Sequence, residues 1–140
     1  MNANNFTTKA LEALSKAQQE AFNNSNPQLE TLHMLRGMLD ADEDALPFLL
    51  DKVGVNKNIL LGKVEEKIKG LPKVTGQTNE VAPSAAFGKM ILQANKLLKD
   101  FEDSYVGVDI LLLALLAIND DTSKLLKETG VDEKKLRQAI

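Results

Sequence analysis

The sequence predicts an all-α fold, with eight helices forming two four-helix repeats related by a pseudo-two-fold axis. Three observations carry this expectation. Apolar residues recur in steps of three and four over most of the chain, the period of one face of an α-helix. Aromatic residues make up only 4% of 140 residues, with no Trp and one Tyr, so the core falls to Leu, Ile, Val, Ala and Met. Helices accommodate that set, whereas a β-sandwich would normally carry more aromatic and β-branched residues. Finally, the triplet Gly54-Val55-Asn56 returns as Gly130-Val131-Asp132.

In the first half, Phe6, Ala10, Leu14, Ala17 and Ala21 form one stripe, with Thr7 or Thr8 placed to supply the N-cap oxygen. Asn23-Asn24-Ser25-Asn26-Pro27 breaks that helix. A second helix is expected from Thr31 to about Leu39 and a third from Ala45 to Lys52, which Gly54 stops. A fourth, capped by Asn56, runs to about Lys69. Residues 70–83 hold Pro72, Gly76 and Pro83 and read as an extended linker. Ser84 then caps a fifth helix with Phe87, Met90, Ile91, Ala94, Leu97 and Leu98 on its buried side. A sixth spans Val108 to about Ile118 and a seventh Thr122 to Glu128, ended by Gly130. Asp132 caps the eighth.

The two triplets share one mechanical logic. Glycine takes the left-handed conformation that closes a helix, valine packs back on it, and Asn or Asp caps the next. Leu49-Leu50 precedes the first triplet and Leu125-Leu126 the second; Leu60 and Val64 follow one, Leu136 and Ile140 the other. Upstream, Thr31 to Leu39 aligns with Val108 to Leu116, with one residue of slippage between the second and third helices. The expected organisation is repeat one over about 6–69, the linker over 70–83 and repeat two over about 84–140.

Composition narrows the function classes. A chain 44% hydrophobic supports a core without staples, and zero Cys excludes disulfides and thiolate metal sites. A net charge of −3, with Lys and Glu interspersed, lacks the clustered cations that nucleic acid requires. The longest apolar run, Ile110 to Ile118, is far short of the ~20 residues of a membrane span, and Met1 to Lys9 lacks the pattern of a signal peptide. His33 is the sole histidine. Zinc or triad chemistry needs convergent partners, so a packing or helix-end hydrogen bond is the expectation there, and Met34, Met38 and Met90 read as core. No metal, no cofactor and no catalytic residue is expected in this chain.

The duplicated unit resembles the Clp N-terminal repeat domain of AAA+ unfoldases. Glu30-Thr31-Leu32-His33-Met34-Leu35 looks like the first-repeat motif, and the segment from Asp103 through Tyr105-Val106-Gly107-Val108-Asp109 to Leu116 looks like the second. The linker Leu71-Pro72-Lys73-Val74-Thr75-Gly76 is similar to that of ClpB-type disaggregases and unlike that of ClpA or ClpC. The resemblance implies a non-catalytic, cytoplasmic, monomeric domain that engages unfolded or aggregated protein. It also implies a parent ATPase that forms a hexameric ring, uses ATP and magnesium in AAA+ modules following residue 140, and works with a DnaK-type chaperone. No phosphate-binding loop occurs in the chain itself. Docking of a folded adaptor, as in ClpA or ClpC relatives, is the alternative.

By the same resemblance, Thr7, Asp103 and Asp109 match polar positions of substrate contact, and Ile91, Leu92 and Ile110 sit where the family's apolar groove lies. Each also has a plainer reading. Thr7 is a helix cap, Asp103 a solvated turn residue, Asp109 a carboxylate answering a helix dipole, and the three aliphatic residues are core.

Overall fold

The computed structural model describes residues 3–75 and 81–140. The expected linker is therefore described only at its two ends, and 76–80, with Gly76 of the linker motif, lie outside the described residues.

Thr7 starts the first helix. Its Oγ1 accepts the Ala10 N–H at 3.2 Å, opening α1 (Thr8–Asn23). A two-residue strand, β1 (Gln28–Leu29), leads into α2 (Thr31–Ala41), α3 (Ala45–Lys52) and α4 (Lys57–Lys69). The second half repeats the order: β2 (Ala82–Pro83), α5 (Ala85–Asp100), α6 (Val108–Ala117), α7 (Asp121–Thr129) and α8 (Glu133–Ala139). Boundaries differ from the sequence reading by one or two residues. Helix α2 runs on to Ala41, two residues past the expected end, and α7 begins one residue early, capped by Asp120, whose carboxylate accepts the Ser123 N–H at 3.0 Å.

Both repeat triplets have the expected geometry. Gly54 and Gly130 lie at φ +80° and +113°, the left-handed region where a Cβ is strained. The amides of Val55 and Val131 donate back to Leu50 and Leu126 at 2.8 and 2.9 Å, closing α3 and α7 in the Schellman manner. Asn56 then caps α4 through the amides of Asn58 and Ile59, and Asp132 caps α8 through that of Lys135.

The halves are joined reciprocally. β1 pairs with β2 in parallel, Leu29 opposite Pro83, and Phe6 makes an isolated parallel bridge to Val106. Positions 6 and 83, and positions 29 and 106, each differ by 77, so the residue before the N-cap of each half's first helix pairs with the residue before the N-cap of the other half's second helix. The amides that follow obey the same exchange: Thr7 N–H donates to Val106 at 2.9 Å and Ser84 N–H to Leu29 at 3.0 Å. Pro83 fits because this two-strand pairing asks no N–H of it.

The core runs through both halves. Between Val108 and Leu116 only Asp109 is not buried, so α6 has no solvent face beyond its ends. Its counterpart α2 is nearly as enclosed, with Arg36 and Asp40 emerging at one side. Helix α2 also lies tight on α1: a Cβ built on Gly37 would stand 2.2 Å from the carbonyl oxygen of Ala13.

Candidate functional site

Gly107 is the N-cap of α6 and brings no side chain to that helix start. A Cβ there would fall 2.8 Å from Asp109 Oδ1 and 3.7 Å from Thr7 Cγ2. The bare backbone thus lets Thr7 and Asp109 crowd the same point, one at the start of α1 and the other at the start of α6. Asp109 is half-buried and its Oδ1 accepts the Ile110 N–H at 2.8 Å. A carboxylate in a first helical turn is favoured by the helix dipole.

Asp109 lines a cleft of about 680 Å³ at the junction of α3, α6 and α8. Its apolar surface comes from Phe48, Leu49, Val108 and Ile140, and its polar rim from Lys9, Asp42 and Asp44 as well as Asp109. Phe48 is 56% exposed, with the Lys52 ammonium 5.2 Å from its ring centroid. Asp42 is spoken for, because its Oδ1 accepts the amides of Asp44 and Ala45 at the start of α3.

The remaining expected residues fall elsewhere. Asp103 is exposed on the loop after α5 and does not line this cleft. Leu92 is 66% exposed on α5. Ile91 and Ile110 are corrections to the groove expected from the resemblance: at 7% and 0% exposure they are core side chains. The cause is the all-round burial of α6 and the inward face of α5. Phe48 is not among the residues expected from the sequence, although the sequence carries its signal. Leu46, Leu49 and Leu50 make the buried stripe of α3, and that stripe leaves position 48 outside.

A second cleft, of about 210 Å³, lies where the starts of α2 and α7 meet α5. On its floor the Thr31 hydroxyl donates to Asp120 Oδ2 at 2.6 Å. That uses its only proton, so the 2.8 Å contact with Thr122 is donated by Thr122. The cleft continues across Lys67, Leu71 and Leu125 into a wider furrow of about 480 Å³ against α4.

His33 belongs to neither cleft. The Glu30 amide donates to its Nδ1 at 2.9 Å, so Nε2 carries the proton and donates to Asn26 Oδ1 at 2.8 Å. Asn26 passes the chain of bonds to Pro72 O at 2.9 Å, Asn24 donates to Ile68 O at 2.9 Å, and Val74 N–H donates to Ser25 O at 2.8 Å. Together these bonds hold the start of the linker against the turn after α1. Burial lowers the His33 pKa to about 4, so the ring is neutral near pH 7. This is the helix-end role expected of the lone histidine. Among the described residues no group of three or more His, Asp or Glu is placed to hold a metal ion, and no helix is long and apolar enough to cross a membrane.

The sequence pattern that defines the Clp repeat (R) N-terminal domain matches residues 5–129. The chain belongs to that family. The Clp N-domain seen here is 34% identical over 140 residues to chaperone protein ClpB of Bacteroides thetaiotaomicron, an alignment covering all of this chain and 16% of that protein. The chain therefore spans about a sixth of the length of such relatives. Among solved structures it superimposes on the Hsp104 N-terminal domain from Candida albicans with a TM-score of 0.84 and 26% identity, covering 97% of this chain and 89% of that one. A complex of a ClpV N-domain with a VipB peptide shares the fold, with a TM-score of 0.73 and 17% identity, covering 96% of this chain and 83% of that one. The chain thus corresponds to the Clp N-terminal domain of ClpB-type chaperones.

Proposed function

We propose that this Clp N-domain engages unfolded or aggregated polypeptide on behalf of a ClpB-type disaggregase. The observation that carries the reading is the cleft at Phe48: an aromatic ring more than half exposed, continuous with Val108 and Ile140, and bordered by Asp109. A water-facing phenylalanine offers apolar area to a partner, and unfolded chains present the apolar side chains that folded proteins hide. Thr7 and Asp109 then serve as polar edges that orient a bound backbone, and the exposed Leu92 and Asp103 are separate points of contact outside the cleft.

In the parent, ring assembly, ATP with magnesium, cytoplasmic placement and cooperation with a DnaK-type chaperone belong to the same proposal. Weak capture by each domain suffices there, since several domains on one ring multiply modest affinities. The test is an NMR titration of the 140-residue chain with a denatured protein and with its native form. Amide shifts clustered at Phe48, Val108 and Asp109, seen only with the denatured form, support the reading, and equal or absent shifts with both end it.

The second reading is docking of one defined partner, favoured by the VipB peptide on the ClpV N-domain. It is distinguished by selectivity: a docking site saturates with one sequence and ignores unrelated denatured proteins.

A further inference from the structure

The two clefts occupy equivalent places in the two halves. The first is built from the starts of α1, α3 and α6, the second from the starts of α5, α7 and α2, which are the same three positions with the halves exchanged. The match extends to single residues. Ala86 stands where Lys9 does, Asp120 where Asp44 does, Leu125 where Leu49 does, and Thr31 where Val108 does. A site formed by the fold of one repeat against the other is thereby formed twice.

The second copy has its own chemistry. Its floor is aliphatic at Leu32, Leu71 and Leu125, with the Thr31–Asp120 pair beneath. The cleft and its continuation carry five carboxylates against two ammonium groups, Lys63 and Lys67. Three of those carboxylates, on Glu66, Asp121 and Glu128, are exposed and form no ion pair among the described residues. The first cleft has the same sign, with three carboxylates to one lysine. Unneutralised carboxylates around an aliphatic trough complement a cationic partner that also carries apolar groups.

We infer that the second cleft is a further polypeptide site, which takes an extended segment pairing Lys or Arg with aliphatic side chains. The inference rests on the proposed function of the first cleft and extends it: one domain holds two points of the same chain, and the second contact forms at high effective concentration once the first is made.

The test uses a short unstructured peptide alternating arginine with leucine, and a counterpart with glutamate replacing arginine, titrated into the 140-residue chain by NMR. The expected result is two sets of amide shifts, one at Phe48 and Val108 and one at Leu71, Asp121 and Leu125, with the glutamate peptide much weaker at both. The double charge reversal Glu66→Lys/Glu128→Lys, at two exposed helix positions, is expected to weaken the second set about five-fold while leaving the first unchanged. Shifts confined to Phe48 and Val108 overturn the second site while leaving the proposed function standing. Equal binding of the glutamate peptide overturns the charge argument and with it the site. Loss of both sets, with denatured protein still shifting Phe48, likewise overturns the inference alone.

Discussion

Gly37 stands over the Ala13 carbonyl so closely that a methyl group would lie 2.2 Å from the oxygen and 3.0 Å from the Ala17 amide nitrogen. Both are backbone atoms inside a helix and neither has a rotamer through which to retreat. Gly37→Ala must therefore part α1 from α2. Alanine gains up to ~1 kcal/mol of helix propensity over glycine, but forced repacking costs typically 1–3 kcal/mol and occasionally more. The expected outcome is a net loss of about 1–2 kcal/mol in urea unfolding. The equivalent position in the second half is Ala114, fully buried with its methyl in place, so the close crossing is particular to the first half. A neutral or stabilising Gly37→Ala would show that the helices separate freely.

That asymmetry marks the limit of what the chain makes legible. The helices and their turns were readable because each is encoded locally. Gly54 and Gly130 need the left-handed conformation, and Asn56, Ser84 and Asp132 each cap the helix that follows. The β1–β2 pairing was not readable, since a two-residue strand has no period and Leu29 meets Pro83 only through the fold. The site was partly readable. The resemblance pointed to Thr7 and Asp109, which Gly107 brings together. It also pointed to Ile91 and Ile110, which the core takes. Helix α6 gives no polar face from which to tell groove from core. Phe48 lay outside its helix's buried stripe, but its meaning depended on α6 and α8 arriving beside it.

Thr31 and Asp120 bond across 89 positions, tying the start of α2 to the start of α7. Thr31→Val keeps the shape but removes the donor to Asp120 and the acceptor for the buried Thr122 hydroxyl. Leaving buried polar groups without partners costs about 1–3 kcal/mol. The expected measurement is a lower urea midpoint with an unchanged slope. Thr31→Ser, which keeps the hydroxyl, should recover most of the loss.

The buried His33 makes stability depend on pH in a definite direction. Its pKa is about 4 folded and 6.5 unfolded, so between those values the unfolded chain binds the extra proton. Stability from this group is complete above about pH 6.5 and is lost as pH falls toward 4, below which the loss levels off. A depression of that size corresponds to about 3 kcal/mol. Protonation also places a proton on Nδ1, which now accepts the Glu30 amide. Urea unfolding from pH 7.5 down to 4 should show the decline, and His33→Gln, which cannot titrate, should flatten it. Parallel pH profiles for the two proteins would remove His33 as the cause.

Phe48 separates binding from stability. The ring is more than half exposed and its loss opens no core cavity, so Phe48→Ser should change unfolding free energy by no more than about 0.5 kcal/mol, as surface substitutions generally do. The same change removes the largest apolar group of the first cleft, and exposed aromatics commonly dominate such contacts. Affinity for denatured protein should fall roughly ten-fold or more, read by the concentration dependence of the Val108 and Asp109 amide shifts. Asp109→Asn keeps the size of the side chain and removes only its charge. Paired with Phe48→Ser, it tells whether the polar edge acts with the ring: coupled residues give losses that do not add. If Phe48→Ser left affinity unchanged while the fold stayed intact, the capture of clients would have to lie on another face of the domain, with the exposed Leu92 of α5 the next to test.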